Sequence, residues 1–341
     1  MIVNLAHEEE FLKFTTNPGE LDARIEELRP KTILIDEVQR LPSLLNTIQV
    51  LIDQNKQRRF YLSGSSARKL RRGSANLLPG RLFNYRLGPL SCIEFDFKMD
   101  TRQVLEVGAL PEAYIEDREH SEKLLRSYTA TYLREEILAE SLTRQIQGFS
   151  RFLRTAAENS GQFLDFSKIA NKAKVNRSAA RRYYELLEDT LVCDRVEAYS
   201  STKYDLVKHP KFFFFDGGVV NGVLENFKAS VDRKGFMMEH LFFNQLKNTS
   251  YCLDQEIHIS HFRTRNGLEV DFVVEFGERT ILVEVKSNSP SASELSPLVA
   301  ARRYFPSSTE CFVACAKTES KKVQNIRILN WQEVIQRIFD L

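Results

Sequence analysis

At 341 residues the chain is long enough for two or three domains with buried cores, and 48 basic against 46 acidic side chains leave a formal charge of +2. That balance excludes a whole-molecule field for a polyanion, so any nucleic-acid site must be local. Five cysteines without a C-x-x-C pair fit no complete disulfide framework, no apolar run nears the length of a membrane span and no basic-then-apolar leader opens the sequence, so a cytoplasmic protein without a membrane partner is expected.

The first strand is IVNL, residues 2–5. KTILIDEVQRLP, residues 31–42, then runs three apolar residues, Ile33, Leu34 and Ile35, into Asp36 and Glu37. A buried strand ending in two acids belongs at the C-terminal edge of a parallel sheet, where α/β proteins bind ligands, and has the form of a Walker B element. There Asp36 would hold the magnesium shell of a nucleotide and Glu37 would polarise water. RRFYLSGSSARKL, residues 58–70, gives another strand, with Ser63 at the position of a sensor residue, and LPGRL supplies Arg81. From Arg58 to Arg86 there are eight basic residues and no acid, which suits phosphate contacts as well as a solvated loop face. None of the fourteen glycines precedes a lysine, so the sequence holds no G-x-x-x-x-G-K-[ST] phosphate cradle.

Taken in order, ILIDEVQRLP, FYLSGSSARKL, LLPGRL and LGPLSCIEF resemble a family of prokaryotic AAA-type ATPases fused to a C-terminal domain of unknown function. The resemblance runs from about IVNL to about Ser287. It implies a winged helix followed by a PD-(D/E)XK-like fold in the C-terminal part. It also implies a P-loop expected upstream of Met1, and ATP as a cofactor only if that P-loop is restored.

REHSEKLLRSYTATYLREEILAES, residues 118–141, predicts one long amphipathic helix, and FSRFLRTAAENSG, residues 149–161, a shorter one ending at Gly161. Residues 166–200 predict a helix, a turn at Val175 and Asn176, a second helix and a strand pair, the pattern of a helix-turn-helix with a wing. Lys174, Arg177 and Arg181 are expected on one face of the second helix, with Arg182 alongside. Such a face enters a DNA major groove or serves as a protein interface. KFFFFDGG, residues 211–218, predicts a short buried strand and a close turn, with no chemistry assigned to it.

GFMMEHLFFNQLK, residues 235–247, has helical spacing, with Glu239 embedded among apolar neighbours. In LEVDFVVEFGERTILVEVKS, residues 268–287, apolar and polar residues alternate on both sides of Gly277, which predicts a half-buried hairpin. Pairing across Gly277 puts Asp271 opposite residue 285 or 286, with Asp271, Glu284 and Lys286 on one face. A solvated sheet face would alternate in the same way. Two carboxylates on adjacent strands also suit a hard divalent cation, and a neighbouring lysine can orient or deprotonate a water.

This helix and hairpin resemble the PD-(D/E)XK nucleases. The resemblance implies that Asp271 and Glu284 hold Mg²⁺ or Mn²⁺ with the Val285 carbonyl, that Lys286 activates water and that Glu239 assists. Related repair nucleases carry Gln four residues before a Tyr on the next helix, whereas Ala300 stands there before Tyr304.

The expected fold is α/β in three parts: a partial P-loop ATPase-like parallel sheet over 1–98, a helical and winged-helix region over 99–205, and a PD-(D/E)XK-like domain over 206–341. The expected function is a DNA-associated ATPase fragment with a metal-dependent nuclease-like domain. The alternative is a noncatalytic DNA- or protein-binding regulator. Expected partners are DNA and either a second copy or another protein.

Overall fold

The computed structural model describes residues 1–64, 83–132, 146–200 and 206–341. They form two compact units, Met1–Asn84 with Asp189–Leu191, and Tyr85–Glu188 with Val192–Leu341.

The first unit is built on a parallel sheet of β1 (Ile2–Asn4), β2 (Thr32–Asp36) and β3 (Arg59–Leu62), in that order. Parallel neighbours need crossover connections, and the helices Glu8–Thr16, Glu20–Leu28 and Leu44–Gln54 supply them. Val3, Ile33 and Ile35 from the strands pack with Phe14, Ile25 and Ile48 from those helices. The ends of β2 and β3 are tied by Ser63 N–H to the Ile35 carbonyl and Val38 N–H to the Ser63 carbonyl, both at 3.0 Å. This brings Asp36 and Ser63 to one edge of the sheet, as the strand-plus-acid pattern requires.

In the second unit the helix predicted over 118–141 runs Arg118–Ser127 and passes into a π turn at Tyr128–Tyr132, and the rest of it, 133–141, lies outside the described residues. The following helix, Ile146–Glu158, ends before Gly161. A pair of helices follows, Phe166–Ala173, capped by Asp165, and Arg177–Asp189. Behind it come β4 (Cys193–Ala198) and β5 (Lys211–Phe214), paired antiparallel. Asp216 and the two glycines then do more than close a turn. Asp216 caps the helix Gly217–Leu224, and its carboxylate accepts the N–H groups of Val219 at 3.0 Å and Ala109 at 2.7 Å. A Cβ on Gly218 would stand 2.1 Å from the Val107 carbonyl oxygen, so the close approach of backbone to backbone requires glycine there.

The remaining strands are β6 (His258–Arg263), β7 (Glu269–Phe276), β8 (Arg279–Lys286), β9 (Glu310–Cys315), β10 (Lys321–Val323) and β11 (Ile326–Asn330). The eight-stranded order is β10-β11-β9-β8-β7-β6-β4-β5. Residues 99–205 and 206–341, read as separate parts from the sequence, therefore share one sheet, joined where β4 pairs with β6. The hairpin is buried on both faces instead of one. Phe272, Val274, Ile281 and Val283 pack under the helices Val231–Leu253 and Trp331–Phe339, while Val273 and Leu282 pack with Leu295 and Leu298 of the helix Ala292–Ala301. A central hairpin covered by helices on both sides loses its solvated face, so acids that remain on it must be held by something other than water.

Candidate functional site

Two of the sequence-predicted groups of acids occupy strand ends or strand centres, with different surroundings. In the first unit Ser63 Oγ donates to Asp36 Oδ1, and the amide of Gln39 donates to Glu37 Oε2. Glu37 has left-handed backbone, φ 58°, which turns the chain from β2 into the short 3₁₀ turn Val38–Arg40. Asp36, Glu37 and Ser63 are thus neighbours at one sheet edge, whereas Arg81 lies outside the described residues. Of the basic stretch, residues 65–82 also lie outside them. Arg86 makes a two-pronged pair with Asp194 at 3.0 and 3.3 Å and lies over the Tyr251 ring, so it is committed within its own unit.

In the second unit the β7–β8 register runs from Phe276↔Arg279 to Phe272↔Val283. The turn is Gly277–Glu278, and continuing this register puts Asp271 opposite Glu284 instead of opposite residue 285 or 286. Asp271 is only 8% exposed, and its Oδ2 accepts the Val285 N–H at 2.8 Å. Lys286 Nζ lies 2.7 Å from Glu284 Oε1, while Glu284 Oε2 is buried with no hydrogen-bond partner. Glu239 adds a third carboxyl from the helix Val231–Leu253. Burial first, and then the Asp271 charge, push Glu239 up to about 8, against the opposing pull of Lys211. Glu284 is pushed up to about 7 by burial and by Asp271, with Lys286 opposing. Burial raises Asp271 as well, offset by Lys211, the Val285 N–H and Lys286. Three carboxyls placed like this do not all ionise near neutral pH without a cation.

Burial alone would lower the Lys286 ammonium, but Glu284, Asp271 and Glu239 hold it above its usual range. It stays a donor at neutral pH, so of the two roles expected for it, orienting water fits its surroundings and deprotonating water does not. For a metal, the donor set offers two hard carboxylates, Asp271 and Glu284, of which Glu284 has one buried oxygen without a partner. An anionic oxygen left unpaired in a dry site costs about 1–3 kcal/mol or more, which a cation would relieve. Among the described residues no three His, Cys, Asp or Glu side chains form a metal-ligand cluster.

Two residues of this site carried no prior assignment. Lys211, at the start of β5, is 2% exposed with Nζ 3.2 Å from Glu269 Oε1. Its only sequence signal is a lysine opening an otherwise apolar strand, and Glu269 reads as an ordinary outward residue of β7.

The basic helix face differs in one respect from expectation. Lys174 is not on the second helix: it ends the first in left-handed backbone, φ 53°. Arg177, Arg181 and Arg182 lie on the second helix and are exposed, as Lys174 is. Arg181 stacks on Phe166 at 5.2 Å and Arg182 on Tyr183 at 5.9 Å, which stiffens the two guanidinium groups.

Residues 1–96 match the family model described as an AAA domain. The N-terminal segment is AAA-like. Residues 98–230 and 234–334 match two further models, DUF8612 and DUF4143, each described as a domain of unknown function. Uncharacterised proteins of Mycobacterium bovis and Mycobacterium tuberculosis are each 26% identical over 273 residues, covering 76% of this chain and 60% of theirs. An uncharacterised protein of Haemophilus influenzae is 21% identical over 277 residues, covering 75% of this chain and 66% of its own. The chain thus spans about 60% of the length of the mycobacterial relatives. The AAA-like segment followed by DUF4143 agrees with the ATPase part of the resemblance and gives the Asp36–Ser63 edge an ATPase-like setting. Among the described residues no helix is long and apolar enough to cross a membrane.

Proposed function

We propose that the second unit carries a metal-dependent phosphodiesterase site acting on DNA, attached to an AAA-like segment. The observation that carries this reading is the buried Glu284 Oε2, left without a partner between Asp271 and the Lys286–Glu284 pair. Asp271 and Glu284 would hold Mg²⁺ or Mn²⁺, which when bound offsets charge on a scissile phosphate and acidifies a water. Asp271 is fixed for this by the Val285 N–H. Lys286, kept as an ammonium by Glu284, orients the water or a phosphate oxygen. Glu239, raised to about 8, keeps its proton at neutral pH and is a donor beside the two ligands. Arg177, Arg181, Arg182 and Lys174 would contact DNA phosphates. Asp36, Glu37 and Ser63 would serve a nucleotide only in a protein that also has a phosphate cradle.

Incubation of the purified chain with plasmid and with single-stranded DNA, with and without Mn²⁺, tests this. Cleavage that needs Mn²⁺ and disappears in Glu284→Gln is the expected result. Cleavage that survives this substitution defeats it. A second reading, a noncatalytic DNA- or protein-holding module, is favoured by the commitment of Glu284 Oε1 to Lys286. It predicts binding without cleavage, with Lys286→Ala changing at most the salt dependence of affinity.

A further inference from the structure

Arg263 closes β6, and the β6–β7 register sets it opposite Glu269, two residues before Asp271 on β7. With paired strands about 5 Å apart and a rise of about 3.4 Å per residue, the backbone of Arg263 lies roughly 8 Å from that of Asp271. One extended ligand can touch both. An arginine facing a glutamate across a ladder ordinarily pairs with it. Here Glu269 Oε1 goes instead to Lys211 Nζ, at 3.2 Å, a lysine only 2% exposed. Among the described residues Arg263 has no carboxylate within ion-pair distance, and its guanidinium lies over the ring of Phe163, 4.5 Å from the centroid. That ring is itself fixed. Its backbone bridges to Lys211, whose ammonium lies 4.7 Å from the same centroid, and His261 packs against it edge-on at 5.0 Å. A half-buried guanidinium held by an aromatic ring and left without an anion is ordered for a partner that this chain does not supply.

We propose that Arg263, stacked on Phe163, is a clamp for a DNA backbone phosphate next to the one held at Asp271 and Glu284, and that Lys211 keeps it free by occupying Glu269. This rests on the DNA reading above. Successive phosphates of one strand are spaced about 3.4 Å along a duplex axis and further apart when the strand is extended. A strand seated at the carboxylate site therefore brings a phosphate one or two nucleotides away to Arg263. The planar fork of N–H donors matches two oxygens of a phosphodiester, and the ring reduces the freedom lost on binding. Arg263 is a substrate-binding residue away from the reacting atoms. Phe163 and Lys211 come from the segment matched by the DUF8612 model, whereas Arg263 and Glu269 come from the DUF4143 segment, so the clamp is assembled from both.

Fluorescence anisotropy of the full chain with a labelled single-stranded oligonucleotide and with a labelled duplex, in EDTA so that nothing is cleaved, tests the clamp apart from metal chemistry. Arg263→Gln should weaken binding about tenfold and flatten the slope of log affinity against log salt by about 0.7 for the single strand. Arg327→Gln removes another ring-stacked arginine, over Phe312 at 5.7 Å on β11, four strands from β6, and should change neither. If Arg263→Gln does not fold by circular dichroism, Arg263→Lys decides: it keeps the charge, loses the fork and should weaken binding about threefold. Unchanged affinity in the variant that decides, with DNA binding by wild type, overturns the clamp and leaves the carboxylate site standing. Binding that depends on Arg263 without any Mn²⁺-dependent cleavage supports the clamp and removes only the hydrolase reading. No binding of either DNA by wild type removes the DNA reading and the clamp with it.

Discussion

The two acid pairs of this chain sit in similar places in their sheets and are held in opposite ways. At the edge of β2 and β3, Asp36 and Glu37 are partly exposed and are met by the neutral donors Ser63 and Gln39. On the central β7–β8 hairpin, Asp271 and Glu284 are removed from water and raised chiefly by burial, Glu284 also by the Asp271 charge, while Lys286 counters both and Lys211 counters Asp271. Strand-end acids with neutral donors are already satisfied. The buried acids are instead raised by desolvation and held by charged lysines. The same residue type thus marks a settled, solvated edge in one unit and a desolvated, lysine-countered site in the other.

The largest effect expected from this contrast is on cleavage. Asp271→Asn keeps an acceptor for the Val285 N–H but removes the charge, and should lower Mn²⁺-dependent plasmid cleavage by about 10²-fold or more. Asp36→Asn should leave the same time course unchanged. Equal losses in both would erase the distinction between the pairs.

Next comes the packing that excludes water. Phe272, fully buried, lies against Phe242 and Phe243 with ring centroids 5.8 and 6.1 Å away. Phe272→Ala should cost about 3–5 kcal/mol in urea unfolding. Tyr61 on β3 is 54% exposed, and Tyr61→Ala should stay within about 0.5 kcal/mol. A small loss at Phe272 would mean that the hairpin acids are not held in a dry core.

A smaller effect is expected in the pH dependence of stability. Glu239 and Glu284 have folded-state values of about 8 and about 7, both above the ordinary glutamate range. Between that range and those values the folded protein binds protons that the unfolded chain has released, so stability falls as pH rises through the window. The melting temperature without added metal should therefore drop from mildly acidic pH to pH of about 8, by less in Glu239→Gln. Mn²⁺ should restore more of it at the alkaline end. A flat profile in wild type would show that these carboxyls are hydrated.

Much of this was legible in the sequence because period and chemistry coincide. Ile33, Leu34 and Ile35 running into Asp36 specify a parallel strand with an acid at its end, and the alternation around Gly277 specifies the hairpin that carries Asp271, Glu284 and Lys286. The half-buried expectation for that hairpin failed because alternation records two distinct faces without saying whether helices cover both. The shared sheet was hidden because β4 meets β6 across about sixty residues of chain, a pairing that local pattern does not encode. Lys211 was hidden for the same reason: a lysine at the start of KFFFF looks like a strand boundary until the fold sets Glu269 beside it. Lys174 was placed on the wrong helix because periodicity continues smoothly through a left-handed turn residue.

The smallest effect belongs to Ser63. Its hydroxyl donates to Asp36 at an exposed edge, so Ser63→Ala removes one hydrogen bond from a carboxylate that water can reach. Exchange of a protein donor for a water donor costs only about 0.5–1.5 kcal/mol, and less where the acceptor is already solvated. Urea unfolding should therefore shift by no more than about 1 kcal/mol. A loss several times larger would mean that Asp36 depends on its partner as Glu284 depends on Lys286. The β2–β3 edge would then be a second charged site waiting for a cation, and the distinction between the two acid pairs would have to be given up.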